Sequence, residues 1–190
     1  MQTTANRTTA GPTDDATELA CIAFREVHAT RLHGFALLLT LGDRFQAAHL
    51  ADEALDVGCA RMTKLRHPER AAAWLRARVV RKARLRRGSD DEAAARLAGL
   101  SDLAVDEAIL LALSSLTNLE RAALVASAIE RFDLRDVATI AGRDGARLDA
   151  LLRAARKSFA AWHAAASPLA EPPSGPITDR IRDIAARAMA

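Results

Sequence analysis

The sequence predicts an all-α protein made of two small helical domains joined by a flexible linker. Half of its residues are apolar, but alanine supplies much of that half, and aromatic residues make up only 4%. Alanine, leucine, arginine and glutamate are strong helix formers, whereas the β-branched residues that favour strands are sparse. Apolar residues also recur at intervals of three and four, which is the period of an amphipathic helix. A chain of 190 residues is long enough for one ordinary domain or two small ones.

The first predicted domain covers residues 15–88 and follows a Thr-rich polar segment, 1–14, that we expect to be a disordered tail. Apolar positions at helical spacing predict a long helix from Thr17 to Leu41, which Gly34 could interrupt. A second helix should run from residue 44 to about residue 62. Its inward side chains are predicted to be Phe45, Ala48, Leu55 and Cys59.

A strongly basic segment ends this first domain. From Arg61 to Arg87 it carries eleven Lys/Arg residues and a single acid, Glu69, whereas the segments before and after it are each net acidic. A basic block so confined is typical of a protein that binds a polyphosphate. The block should form a helix that begins at Pro68 and is stopped by Gly88. The apolar stripe expected on this helix consists of Ala72, Leu75, Val79 and Ala83, with Trp74 at its margin.

The alternative is a solvated basic helix that only keeps the protein soluble. The length of the run and its lack of compensating acids favour an anionic partner instead. That interpretation requires that the basic side chains are not neutralised by carboxylates folded over them.

Residues 89–101 are mostly small and acidic and predict the linker, and the second domain should cover residues 102–164. An apolar helix is expected first. Thr117 and Glu120 then form a capping box, with the threonine bonding the amide of the third helical residue and the glutamate reaching back. The helix that this box opens should extend to Arg131.

A helix-turn-helix pattern follows. Asp133 is a helix cap before LRDVATIA, Gly142 ends that helix, and Asp144 caps a long one. Two helices joined by a turn of about three residues form a helix-turn-helix, with a bare helical hairpin as the alternative that this spacing leaves open. The shared core should hold Val137, Leu148 and Leu151. The apolar stripe of the long helix is predicted to be Leu148, Leu151, Leu152, Ala155, Phe159 and Trp162. Residues 165–190 predict a Pro-rich linker and a C-terminal amphipathic helix.

Composition also limits the chemistry. Cys21 and Cys59 lie in no C-x-x-C motif, so two buried thiols in a reducing compartment are favoured over a disulfide or a zinc site. The N-terminus lacks the apolar core of a signal peptide, and the longest apolar run is too short to cross a bilayer, so we expect a cytoplasmic protein without membrane insertion. The five histidines lack metal-ligand spacing and there is no phosphate-binding glycine loop. We therefore predict no enzyme, no metal and no cofactor.

Taken in order, these segments resemble an extracytoplasmic-function sigma factor of the sigma-70 family, over roughly residues 18–163. The segments FREVHATRLHGFALLLTLGDRFQAAHLADEAL and PERAAAWLRARVVRKARLRR are similar to sigma region 2. The segment LLALSSLTNLERAALVASAIERFDLRDVATIAGRDGARLDALLRAARKSF is similar to region 4, with Asp136, Val137 and Ala138 where the family has Glu-Ile-Ala.

The resemblance implies three sets of contacts, namely core RNA polymerase, the minus-ten promoter element and the minus-thirty-five element. Polymerase contacts would come from His49, Leu50, Asp52, Glu53 and Leu55. Minus-ten contacts would come from Lys64, Arg66, Arg70, Arg76, Arg78, Arg81, Lys82 and Arg84. Region 4 would lay the helix that begins at Gly145 into the major groove. Minus-thirty-five contacts would come from Arg143, Arg147, Arg153, Arg156 and Lys157.

The chain departs from the family pattern at positions that matter for these roles. His49 stands where the family usually has aspartate, and Asp52 where it has glutamine. At the start of the recognition helix the chain has Gly-Ala-Arg-Leu-Asp-Ala, which loses two basic residues and gains Asp149, an acid that would face phosphate unfavourably.

The expected function is a sigma factor that binds core RNA polymerase and directs promoter recognition, with an anti-sigma factor as a further expected partner. One alternative is a sigma-like protein that binds an anti-sigma factor or polymerase without reading promoters. The other is a helix-turn-helix regulator that works without polymerase.

Overall fold

The computed structural model describes residues 12–65, 67–85 and 107–166, and every regular element in these ranges is helical, which confirms the all-α prediction. We number seven α-helices in chain order. They are α1 (Pro12–Leu39), α2 (Arg44–Arg61), α3 (Ala71–Leu85), α4 (Glu107–Ser114), α5 (Asn118–Leu124), α6 (Leu134–Ala141) and α7 (Gly145–Ala166). Short 3-10 turns at Met62–Lys64 and Pro68–Arg70 lead into α3, and one π-helical turn, Val125–Ile129, continues α5.

Helices α1 and α2 form a hairpin on which α3 packs. Helix α1 is continuous through Gly34, which is buried, so the predicted interruption is absent; it also begins at Pro12, inside the segment predicted to be disordered. Gly58 permits close packing of the three helices, because a Cβ there would lie 2.7 Å from the Phe24 ring and 3.1 Å from Leu75. The N-terminal residues 1–11 and the predicted linker, 89–101, lie outside the described residues.

One apolar core crosses the boundary between the two predicted domains. Leu32 and Phe35 of α1 and Val79 of α3 belong to the same buried cluster as Val137 of α6 and Leu148 of α7. Apolar burial stabilises such a contact in proportion to the area removed from water. The bundle of α1, α2 and α3, here called the first half, and the helices α4 to α7, here called the helix-turn-helix half, therefore pack directly against each other.

A second cluster fixes the far end of α7. Phe159 is buried there in one cluster with Leu41, two residues beyond the end of α1, and with Ile109 and Leu113 of α4. The capping box is present as predicted, because the Glu120 amide donates to the Thr117 hydroxyl and the Thr117 amide donates to the Glu120 carboxylate.

Two aromatic residues predicted to be inward are exposed. Phe45 is 88% exposed. It precedes the buried Ala47 by two residues, which turns its side chain about 200° around the axis of α2 and so to the opposite face of the helix. Trp162 is 55% exposed, because the buried stripe of α7 continues from Phe159 to His163 at a spacing of four residues. The His163 ring stacks on the Phe159 ring with centroids 6.0 Å apart.

The expectation of two free thiols is wrong, because Cys21 and Cys59 form a disulfide between α1 and α2, with their Cα atoms 5.0 Å apart. The two cysteines are 38 residues apart in sequence, and only the register of the α1–α2 hairpin brings them together. Disulfides are typical of oxidising compartments, so this pair does not support the reducing compartment inferred from the cysteines.

Stability is expected to fall on mild acidification because of His28. Burial of its ring, and to a smaller extent the Arg76 guanidinium, lowers the pKa of His28 from the ordinary value of 6.5. The unfolded chain therefore binds this proton at higher pH than the folded chain, and the stability present above pH 6.5 is lost as the pH falls through the folded-state pKa. The denaturation midpoint should thus decrease between about pH 7 and about pH 5, and less so in His28→Gln.

Denaturant titrations across this pH range measure the effect. His49→Gln, at an exposed position of α2, is the matched control for removal of a histidine. An equal pH dependence in wild type and His28→Gln would contradict the assignment to His28.

Candidate nucleic-acid interface

Helices α6 and α7 are joined by a turn of three residues, as the predicted helix-turn-helix requires. The Asp133 carboxylate caps α6 by accepting from the Asp136 amide at 2.7 Å. Gly142 ends α6 in the left-handed conformation, at φ 60°, which favours glycine, and the Arg143 amide donates to the Ala138 carbonyl at 3.1 Å. Residues 142–144 form the turn, and α7 starts at Gly145.

The interior of this motif is apolar, as predicted. Val137 and Leu148 are buried, and Leu151 packs partly buried against the same cluster. Ile140 and Leu152 are buried in the same cluster. Packing on the hydrophobic face fixes which side of α7 is left to solvent.

The solvent side of α7 carries the predicted cations. All five residues assigned to the minus-thirty-five element are exposed, and they are Arg143, Arg147, Arg153, Arg156 and Lys157. Asp144 and Asp149 are exposed as well, so two acids lie beside Arg143 and Arg147 at the start of α7. Both arginines are in solvent, where a phosphate backbone can reach them.

The cations predicted to contact the minus-ten element divide into those that reach solvent and those, Arg70 and Arg76, that are engaged within the molecule. Lys64, Arg81 and Lys82 are exposed, and Lys82 pairs with Glu53 of α2. Arg78 is half-buried, with its guanidinium 5.4 Å from the centroid of the Trp74 ring. Burial, and then repulsion by Arg81 and Arg61, lowers the pKa of Arg78, so this surface holds crowded positive charge. Arg66 and the side chain of Arg84 lie outside the described residues.

Arg76 is not at the surface. Its side chain is 2% exposed and makes a two-point ion pair with the Glu130 carboxylate, while Nη1 donates to the Ala72 carbonyl at 3.0 Å. The guanidinium also lies 5.6 Å from the Phe35 ring centroid and 4.9 Å from that of Phe132. The assignment of Arg76 to a DNA contact therefore does not hold in this arrangement, where it joins α3 to the segment before α6.

Arg70 is likewise engaged within the molecule. Its Nε donates to the Asp136 carboxylate at 2.6 Å, and Nη2 donates to the Thr139 hydroxyl at 2.9 Å and to the Arg135 carbonyl at 3.2 Å. All three acceptors belong to α6. Each of Arg70, Arg76 and Lys82 thus pairs with a carboxylate. Part of the basic block is therefore neutralised, whereas the interpretation of the sequence required its cations to be free of carboxylates.

A cleft of about 660 Å³ lies beside the Arg70 contact. It separates the end of α2 and the two 3-10 turns from α6. Its lining includes the cationic side chains of Arg61, Lys64 and Arg70, the ring of Trp74, and Thr139. The cleft is therefore basic, and both halves of the chain contribute to its walls.

The face of α2 assigned to polymerase is largely engaged within the first half. His33 Nε2 of α1 lies 3.3 Å from Asp52 Oδ1. Glu53 pairs with Lys82 of α3, and this contact is the main cause of the lowered pKa of the Glu53 carboxylate. Leu50 and Leu55 are buried in the core, as predicted for Leu55 from the helical pattern, so neither leucine is accessible to a partner in this arrangement. His49 and Asp52 are exposed and remain accessible on this face.

Sequence reasoning also missed Arg121, which is buried in α5. Its guanidinium donates to the carbonyl of Leu39, at the end of α1, and at 2.9 Å to the carbonyls of Leu113 and Leu116. The Leu39 and Leu116 carbonyls lie at or just beyond the C-terminal ends of α1 and α4, where helix carbonyls lack intrahelical partners. The Leu113 carbonyl also accepts from the Leu116 amide at 3.3 Å. The burial of Arg121 could have been predicted from helical spacing, because Arg121 lies three residues before Leu124 and four before Val125, on the same face of the helix.

Comparison of the chain with protein-family models, with curated proteins and with solved structures found no match. Within the described ranges, no cluster of three or more His, Cys, Asp or Glu side chains could hold a metal ion. None of the described helices is both long and apolar enough to span a membrane.

Proposed function

We propose that the protein is a sigma-like transcription initiation factor that binds promoter DNA and core RNA polymerase. The observation that carries this proposal is the helix-turn-helix of α6 and α7, whose long helix begins at Gly145 with the cations Arg143, Arg147 and Arg153 in solvent. The order of the sequence segments and their similarity to sigma regions 2 and 4 support it. The protein would act in the cytoplasm, where polymerase is found.

In this function α7 enters the major groove and its arginines bind phosphates that set its position. The exposed basic residues of the first half, Lys64 and Arg81 among them, bind the neighbouring promoter segment. His49 and Asp52 present the surface of α2 to polymerase. In this scheme the chain catalyses no reaction itself; it binds promoter DNA and core polymerase and positions them relative to each other.

The direct test adds the purified full-length protein to core RNA polymerase and a pool of genomic promoters. Specific initiation at promoters that core polymerase ignores supports the proposal. Absence of any such transcript across the pool, together with no binding to core polymerase, would count against it.

A second candidate is a sigma-like interaction protein that does not read promoters. The engagement of Arg70 and Arg76 by α6 and Glu130 favours it, as does the exposed Asp149 on α7. Recovery of an anti-sigma factor without polymerase in a pull-down would support this candidate over the first.

Replacing Asp149 by arginine is expected to tighten binding to duplex DNA. Asp149 is exposed near the start of α7, so the change removes repulsion of phosphate and adds one phosphate contact. One extra contact steepens the dependence of log K on log salt by about one. Fluorescence anisotropy on a labelled duplex at several salt concentrations measures both effects.

Glu26→Arg is the control for this variant, since it makes the same charge change at an exposed position of α1. If Glu26→Arg steepens the salt dependence equally, the gain comes from net charge, and α7 has no special position on the DNA.

A further inference from the structure

Two arginines of the basic segment meet two carboxylates of the helix-turn-helix half. Arg76 pairs with Glu130, and Arg70 pairs with Asp136 at 2.6 Å. Both pairs cross the contact between α3 and the region around α6, and they join residues 54 and 66 positions apart in sequence. The residues that neutralise this part of the basic block therefore come from the other half of the chain.

The backbone before α6 is arranged to present Glu130 to Arg76. The π-helical turn Val125–Ile129 ends at Glu130, whose amide donates to the Val125 carbonyl at 3.1 Å. Arg131 then adopts φ 56°, a left-handed conformation that is unusual for arginine, and Phe132 follows with its ring against the Arg76 guanidinium. Backbone held in sparsely populated conformations is concentrated at functional and switch sites.

A carboxylate that receives two parallel N–H bonds from a guanidinium occupies the same fork that a phosphate would occupy. Glu130 accepts from both Nε and Nη2 of Arg76 in this way. Asp136 and the Thr139 hydroxyl together take Nε and Nη2 of Arg70. These guanidinium groups cannot bind a phosphate backbone and these acceptors at the same time.

We propose that Arg70, Arg76 and the adjoining basic cleft form a phosphate-backbone binding surface that Glu130 and Asp136 occupy as internal substitutes for phosphate. A nucleic-acid strand takes these arginines only when the helix-turn-helix half moves off α3, so the packed arrangement withholds part of the DNA-binding surface. This inference rests on the proposed function and adds the regulation of its binding surface.

The exchange keeps the charge balance, because phosphate replaces carboxylate on each guanidinium. It also separates Val137 and Ile140 of α6 from the shared apolar core, which opposes opening. Removing the carboxylate charges leaves Arg76 buried without a counter-ion, and parting of the two halves then returns that guanidinium to water. Neutralising Glu130 and Asp136 should therefore favour the open arrangement.

The test uses the full chain with the substitutions E130Q and D136N together, and D136N alone as the milder variant. The control is E18Q with E26Q, which removes two exposed acids of α1 and makes the same change in net charge. Binding to a mixed-sequence DNA duplex and to long-chain inorganic polyphosphate is measured against salt concentration. Amide hydrogen exchange in α3 and α6 is followed with and without each probe.

We expect the salt dependence of duplex binding to steepen by about two for the double variant and by about one for D136N, relative to the control. Amide exchange in α6 should be faster in the double variant than in the control even without a probe, because loss of the two carboxylate charges favours the open arrangement. Equal salt dependence in the double variant and the control, or equal exchange in α6 of the two proteins, would overturn the inference.

The two probes separate this inference from the proposed function. If polyphosphate gives the expected differences and the duplex does not bind, the occupied surface stands and the DNA function falls. If the duplex binds every variant alike, the DNA function stands and the occupied surface falls. Failure of both probes to bind any variant overturns both.

Discussion

Arg121→Met is expected to lower the free energy of unfolding by about 3 kcal/mol, since each buried acceptor left unsatisfied costs about 1–3 kcal/mol. The Arg121 side chain is buried, and it donates to the carbonyls of Leu39, Leu113 and Leu116. A methionine of similar length fills the space but donates no hydrogen bond. A cation at the C-terminal ends of two helices also interacts favourably with their dipoles, and this interaction is lost as well.

Chemical denaturation monitored by helicity measures the loss. Arg121→Lys should recover only a small part, because a lysine ammonium lacks the planar fork that reaches several acceptors at once. Arg31→Met, at an exposed position of α1, is the control and should lie within about 0.5 kcal/mol of wild type. If Arg121→Met lowered the free energy of unfolding by less than about 1 kcal/mol, the prediction would be wrong, and water would be replacing the guanidinium at these carbonyls.

Local signals in the sequence were sufficient for the helices of the second half. The capping box at Thr117 and Glu120 involves residues three positions apart, and Asp133 caps α6 through a residue at the same separation. Gly142 ends α6 because the left-handed conformation there suits glycine. These features depend on neighbours in sequence, so they could be predicted without knowledge of the tertiary packing.

The engagement of the basic segment could not be predicted in the same way. A count of charges treats every arginine of the segment alike, yet Arg76 is buried and Arg81 is exposed. The burial of Arg76 could have been predicted from helical spacing, because Arg76 lies three residues before Val79 and seven before Ala83 and therefore on the buried face of α3. Its partner Glu130 is 54 residues away, and no local pattern identifies it.

The same limit applies to Cys21 and Cys59, which are 38 residues apart in sequence. The assignment of Leu50 and Leu55 is a different case, because local helical spacing was sufficient to place them. The resemblance placed both leucines on a surface, but helical spacing puts them with Ala47, Ala51 and Ala54 on the side of α2 that packs inward. A family role transferred by position has to agree with the phase of the helix. Where the two conflict, as at Leu55, burial decides which residues a partner can touch.

The Arg76–Glu130 pair is expected to have the largest effect on stability. Glu130→Ala removes one partner of a buried ion pair and leaves the other charge uncompensated, which costs about 3–5 kcal/mol. The Arg76 side chain is 2% exposed and that of Glu130 15%, so water can solvate the remaining guanidinium only if the packing opens. Replacing both partners by apolar residues of similar volume, Arg76→Met with Glu130→Leu, should be close to neutral or stabilising.

A double-mutant cycle over wild type, Arg76→Met, Glu130→Leu and the double variant isolates the coupling between the two side chains. The pair Lys82 and Glu53 provides the comparison, because it is far more accessible to solvent, lies within the first half and should show coupling of about 0.2–1 kcal/mol. Glu130→Leu should lower stability more than Arg76→Met, since only the former leaves a buried charge between the Phe35 and Phe132 rings. Coupling at Arg76 no larger than at Lys82 would contradict this prediction, because the Arg76–Glu130 pair would then join the two halves no more strongly than a pair at the surface.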